Sequence, residues 1–122
     1  MASTKRPHVQ RGEIWMVALD PVVGSEQGKT RPCVVVQRDA ANRAGRTTIV
    51  VPFTDAAERA SSILAPHYGK GEGGLRKDSV ALCHQVRVVD RLRMRARLGR
   101  LDETAMFRLC DGVSAILDLE TA

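Results

Sequence analysis

Aromatic side chains are scarce in this 122-residue chain: Trp15, Phe53, Tyr68 and Phe107 are all of them. That excludes nucleic-acid modules that stack several bases on exposed rings, such as RRM and OB folds. Cysteine is sparse too. Cys33, Cys83 and Cys110 lie in or beside apolar runs, and no two have CxxC spacing, so they read as buried free thiols of a reducing cytoplasm. His8, His67 and His84 are too scattered to suggest a zinc site, and no cofactor is expected. No apolar run is long enough to cross a bilayer. Lys5 and Arg6 are followed by no apolar stretch, so residues 1–10 read as a disordered basic tail rather than a secretory signal. Acidic residues are outnumbered 14 to 19 by Lys and Arg, a net charge of +5 that favours a polyanionic partner met by charge and hydrogen bonds.

What remains predicts one domain over residues 11–120, long enough to bury a core without disulfides or metal. Residues 13–19 form an apolar-rich strand ended by Asp20-Pro21. Residues 32–37 are a β-branched strand buried on both faces, and residues 47–53 a third. Residues 38–46 read as a turn region, and 63–67 as a short edge strand. Residues 69–74, four of them glycine, read as a flexible lid or variable loop. Residues 79–89 make one bent strand or two short ones, 90–93 a helical turn, and 95–101 a last strand alternating apolar and basic. The one clear helix is C-terminal. Met106, Leu109, Cys110, Val113, Ile116 and Leu117 form a helical stripe, Asp102 is placed as N-cap, and Leu101 with Met106 as a hydrophobic staple. The sum is a mainly β, strongly bent antiparallel sheet with one helix over its open side.

The functional interest lies in Gly24-Ser25-Glu26-Gln27-Gly28-Lys29-Thr30-Arg31-Pro32, a polar loop too long for a hairpin turn and rich in groups a core does not need. Loops held by a rigid sheet are where binding and chemistry concentrate. Together with Arg11-Gly12-Glu13-Ile14-Trp15, Leu19-Asp20-Pro21-Val22-Val23, the strand Cys33-Val34-Val35-Val36-Gln37, Val51-Pro52-Phe53-Thr54, Lys77-Asp78-Ser79-Val80-Ala81-Leu82 and Gln85-Val86-Arg87, the loop resembles the MazF/PemK-type toxins of toxin–antitoxin pairs.

The resemblance implies an SH3-like barrel of the CcdB/PemK type, a homodimer, and sequence-specific cleavage of single-stranded mRNA without metal. It also implies an antitoxin partner of MazE type with an acidic tail. Arg31 and Thr54 match the family's catalytic pair. Ser25, Glu26 and Gln27 match loop positions near bound RNA, and Gln85 one that lines the RNA groove. Lys29 reads equally as a phosphate contact or a solvated cation. The chemistry is coherent. A 2′-hydroxyl attacking its own phosphate generates a phosphorane, to which a guanidinium fork and a hydroxyl can donate, leaving 2′,3′-cyclic phosphate and 5′-hydroxyl ends. It supplies no obvious base. Glu26 is the nearest carboxylate and is kept as base or base-edge reader, with substrate contact favoured. Relatives often carry Glu where this chain has His84.

Plainer readings stand beside these. Arg31 could pair with Asp20 or Glu26, and Thr54 could be a turn residue. The run Arg87, Arg91, Arg93, Arg95, Arg97, Arg100 reads best as the solvated face of an edge strand. CcdB-like poisoning of gyrase is the second functional reading. Those relatives end in Trp-Gly-Ile, whereas no aromatic follows Phe107 here. An RNA-binding regulator without activity is the third.

Overall fold

The structure is a computed structural model describing residues 5–119. Seven strands, β1 (Glu13–Ala18), β2 (Thr30–Val35), β3 (Thr47–Asp55), β4 (His67–Tyr68), β5 (Ser79–Ala81), β6 (Arg87–Asp90) and β7 (Met94–Arg100), pair antiparallel throughout. Six run in the order β4-β5-β3-β2-β1-β7, and β6 pairs with β3 off this path. The nine-residue β3 is the hinge of the design: its first half pairs with β6 and its last three residues with β5. One strand thus serves two halves of a bent sheet. Helix α2 (Glu103–Ile116) crosses one side, and a short helix α1 (Asp39–Ala44) stands where the sequence suggested only a turn. Its anchor is the buried Asn42, whose Oδ1 accepts from Thr48 Oγ1 (2.7 Å) and Gln37 Nε2 (2.9 Å).

Strand alternation sends side chains to two cores. Ile14, Val34, Val51 and Phe53 join Tyr68, Leu101, Ala105 and Leu109 beneath α2. Trp15, Val17, Cys33, Val35 and Val50 face the other way, onto Val9, Leu19, Val89 and Met94. This is why Cys33, Val34 and Val35 are apolar at successive positions. Asp102 Oδ1 accepts from the Ala105 amide at 2.8 Å, the expected N-cap, and Met106 packs beside Leu101. The face α2 buries is Ala105, Leu109 and Gly112, so the far end of the expected stripe, Ile116 and Leu117, is exposed. Gly112 has a steric reason: a Cβ there would sit 2.6 Å from Cys83 Sγ and 2.7 Å from the Ile63 carbonyl oxygen.

Several expectations are corrected. The expected tail is in part packed: within residues 6–10, Val9 is 6% exposed, and Arg6 grips Asp90 with two bonds of 2.9 Å. Residues 1–4 lie outside the described residues. The stretch 63–67 contributes only a Ser62–Ala65 bridge and the first residue of β4. Residues 79–89 take the second of their two expected forms, two short strands, β5 and β6, on either side of a 3-10 turn, Cys83–Gln85. The glycine-rich 69–74 segment packs on β7: Gly99 and Gly74 meet backbone to backbone, where any Cβ would collide.

β7 is an edge strand, as the basic run suggested. The guanidiniums of the run, which extends from β6 through the turn Arg91–Arg93 into β7, nevertheless donate mainly to backbone carbonyls of other segments. Arg93 donates to Ala18 O (2.9 Å) and to Asp20 O. Arg91 donates to Pro7 O and Gly45 O, both at 2.7 Å, and Arg87 to Leu19 O at 3.2 Å. Arg97 meets the buried Glu13, which also accepts from Trp15 Nε1 and the Gln10 amide.

The Arg6 hydrogen bonds, helped by the Leu92 amide, hold the Asp90 carboxyl at about 2. An unfolded Asp titrates near about 3.9. Its contribution is therefore complete above about pH 4 and vanishes as pH falls toward 2. We expect Asp90→Asn to melt below the parent at neutral pH and the gap to close between about pH 4 and 2, read by thermal melts across that range. A pH-independent gap would exclude this linkage.

Candidate functional site

The loop between β1 and β2 is shaped by its own groups. The Leu19 amide donates to Lys29 O at 2.8 Å, closing the base of the loop. A Cβ on Gly28 would lie 2.5 Å from Asp20 Oδ1 and 2.8 Å from Val22 Cγ2, so the glycine lets these two side chains fold over it. Lys29 turns the chain with a φ of 63°. At the tip, the Glu26 amide donates to Val23 O (3.2 Å), and Glu26 Oε1 accepts from the Val23 amide (2.6 Å). Glu26 thus spends one oxygen on folding its own turn. Gln85, from the 3-10 turn after β5, ties the loop down: its Oε1 accepts from the Gln27 amide (3.3 Å) and its Nε2 donates to Ser25 O (3.4 Å).

Strand register explains how Arg31 and Thr54 meet. Strand β2 begins at Thr30, so Arg31 lies within it, opposite Val17 of β1. On its other side Cys33 pairs with Pro52. Two residues back from Cys33 is Arg31, and two residues on from Pro52 is Thr54. Directly opposed residues of an antiparallel pair share a face. Both side chains line one cavity of about 380 Å³, with Lys29, Phe53 and Leu98 among its other walls. Thr54 is 7% exposed, held by its pairing with Val80, and Arg31 is half-buried with its Nε donating to Gly28 O at 2.9 Å. Arg31 pairs with neither Asp20 nor Glu26 in a salt bridge among the described residues.

Two further depressions continue this cavity. One, of about 400 Å³, shares Thr54 and adds Ser25, Gln27, His84 and Gln85. The next, of about 510 Å³, shares Gln27, His84 and Gln85 and adds Glu26 and Arg87. All seven residues singled out from the sequence therefore fall along one groove. Arg31, Lys29 and Thr54 stand at one end, Glu26 at the other, and Gln27 and Gln85 between.

The sequence reading missed Glu58, which lines both depressions that meet at Thr54, and Lys77, which pairs with Asp55 at 3.5 Å in the first. Asp55 is held below the usual carboxylate range by the Ala57 amide, with Lys77 adding to it. Glu58 stands in no motif, and Lys77 opens one of the segments that carry the resemblance but was given no role there; the fold brings both to the groove. Cys33 and Cys83 are poor nucleophiles: burial pushes the Cys33 thiol far up and that of Cys83 to about 11. No group of three or more His, Cys, Asp or Glu that could hold a metal occurs among the described residues.

A bent antiparallel half-barrel with a capping helix, and a groove of charged and polar side chains along its strand ends, define a small bent-barrel protein with one polar site. Comparison with known proteins narrows this. The model of the PemK-like, MazF-like toxins of type II toxin–antitoxin systems matches residues 10–117, and the chain belongs to that family. It is 35% identical over 111 residues to endoribonuclease MazF of Staphylococcus epidermidis, covering 91% of this chain and 92% of the relative. It is 34% identical to endoribonuclease EndoA of Bacillus subtilis, covering 91% and 96%. The fold is similar to that of crystalline MazF from Deinococcus radiodurans, with a TM-score of 0.80 at 19% identity over 93% of this chain and 99% of that one.

Proposed function

We infer that this chain is the toxin half of a toxin–antitoxin pair, an endoribonuclease that cuts single-stranded mRNA in its Thr54-centred groove and so arrests translation and growth. The observation that carries the reading is the Arg31–Thr54 pair, set across β2 and β3 at one cavity in a chain so similar to endoribonucleases. The scissile phosphate lies between them. The 2′-oxygen attacks phosphorus, the Arg31 guanidinium donates to the equatorial oxygens as charge builds, and the Thr54 hydroxyl donates to a third or aligns the nucleophile. The P–O5′ bond breaks, giving a 2′,3′-cyclic phosphate and a 5′-hydroxyl. Donors fixed before the reaction stabilise the transition state without reorganising. No step calls for a metal.

Ser25, Gln27 and Lys29 contact the flanking RNA. Gln85 orients the loop as much as it touches substrate, because both ends of its amide already hold loop backbone. Glu26 keeps one oxygen for a base edge. The working form is a homodimer in the cytoplasm, and no helix among the described residues is long and apolar enough to cross a membrane. The partner that silences it is a cognate antitoxin with an acidic tail suited to the +5 charge; a mycobacterial endoribonuclease of similar fold has been solved with its own antitoxin.

Primer-extension mapping of cuts on a long natural RNA, with EDTA present, tests the reading. Discrete cuts with cyclic-phosphate ends are expected; absence of cleavage, or cleavage only with added metal, would refute it. Thr54→Val, which keeps shape and removes the hydroxyl, is expected to lower cleavage about a hundredfold in the same assay. A variant as fast as the parent would remove Thr54 from the site.

A further inference from the structure

Cleavage through the 2′-hydroxyl needs somewhere for its proton to go, and the groove offers few takers. Lys29, Arg31, Arg76 and Lys77 are cationic side chains, which offer donors and no acceptor. Asp55 is bonded by the Ala57 amide and paired with Lys77, which weakens it as a base. Glu26 lies in the depression that Thr54 does not line, with one oxygen on the Val23 amide. Ser79 Oγ donates to Lys77 O. Glu58 and His84 remain, both exposed and both sharing a depression with Thr54.

We propose that His84 is the proton acceptor for the 2′-hydroxyl. This rests on the endoribonuclease reading above. His84 is the one imidazole along the three depressions; His67 lines a separate hollow with Arg108 and Asp111. A general base works best when it titrates near the working pH, which suits an imidazole better than a carboxylate. Position agrees. Arg31 lies in the depression on one side of Thr54 and His84 in the depression on the other. In-line attack sets the entering and leaving oxygens on opposite sides of phosphorus, so a base and a charge-stabilising cation on either side of Thr54 bracket the phosphate.

The ring is also oriented for the role. Gln85 Oε1 accepts from the Gln27 amide, which fixes the amide's sense and turns Gln85 Nε2 toward His84 Nε2, 3.4 Å away. An amide nitrogen has only hydrogens to offer, so the facing ring nitrogen carries its lone pair. The contact is long and readily given up to a substrate hydroxyl. In the step, His84 takes the 2′-hydroxyl proton and the oxygen bonds to phosphorus. The P–O5′ pair leaves with the 5′-oxygen, which takes a proton from water, and the imidazolium returns its proton to solvent. The charged groups facing the ring are Glu26 from the β1–β2 loop, Glu58 and Arg59 from the segment after β3, and Arg87 from β6.

The test is kcat/KM on an oligonucleotide carrying a mapped cut, with EDTA, from about pH 5 to 9, for the parent, His84→Gln, His84→Ala, Glu58→Gln and Arg31→Ala. The parent is expected to gain activity with unit slope as pH rises. His84→Gln should lose about a hundredfold at neutral pH and that slope with it, while Glu58→Gln keeps the slope. Added imidazole should partly restore His84→Ala. His84 is exposed, so both variants should fold, which thermal melts would verify. A His84→Gln enzyme retaining the acid limb, or a Glu58→Gln enzyme losing it, overturns the assignment. If the parent cuts, Arg31→Ala does not, and His84→Gln matches the parent, only His84 falls. If the parent does not cut, the endoribonuclease reading falls with it.

Discussion

Arg31→Ala is expected to lower RNA cleavage about a thousandfold, the upper range for removing a preorganised donor from a site of developing charge. The effect should exceed that of Thr54→Val because a guanidinium brings both charge and a planar pair of donors. The structure shows how the fork is aimed. Nε is committed to Gly28 O at 2.9 Å, which pins the guanidinium to the rigid end of the loop and leaves the terminal nitrogens to the cavity shared with Thr54. Arg31→Lys keeps the charge but neither the Gly28 anchor nor the fork, so it should recover only a small part of the loss. Single-turnover cleavage of a mapped oligonucleotide reads all of these. An Arg31→Ala enzyme within about tenfold of the parent would mean that another group stabilises the phosphorane. The losses in a double variant with Thr54→Val should not add, since both groups serve one transition state.

Resemblance alone put Arg31 and Thr54 together in the sequence; what brings them to one cavity is the register of two strands. Arg31 and Thr54 are far apart along the chain, and it takes the Cys33–Pro52 pairing to bring them onto one face. The strands themselves were readable because β-branched runs bounded by Pro and Gly leave little choice, and α2 because its cap and its stripe agree. The same local rules failed wherever a long-range contact decided the outcome. Residues 6–10 are short and mostly polar, yet Val9 finds a core and Arg6 finds Asp90, 84 residues away. Gln85 looked like an RNA contact and proves also to be the tie that holds Ser25 and Gln27, a bond between groups nearly half the chain apart. The arginines around β7 alternate like a solvated face, but several donate to the carbonyls of segments with which they share no sequence neighbourhood.

Gly74→Ala is expected to be the most damaging single-methyl change in the molecule, although the glycine run around it reads as a flexible loop. Gly74 holds φ at +86°, and a Cβ there would press on the Leu98 carbonyl oxygen, 2.6 Å from its carbon and 3.2 Å from the Gly99 nitrogen. These are backbone atoms of β7, which is paired on its other side with β1 and cannot retreat without breaking that ladder. The left-handed conformation and the overpacking together should cost about 3 kcal/mol or more, or roughly 10 °C in melting temperature for a domain of this size. Gly71 is the internal control. Its φ is +92°, but nothing lies within 4 Å of a Cβ built there, so Gly71→Ala carries the conformational cost alone, about 1–2 kcal/mol. The difference between the two melts isolates the contact of the turn Glu72–Gly74 with β7. If both variants melt together, that turn does not pack against the edge strand, and the close approach of Gly74 to Gly99 is not what makes glycine necessary there.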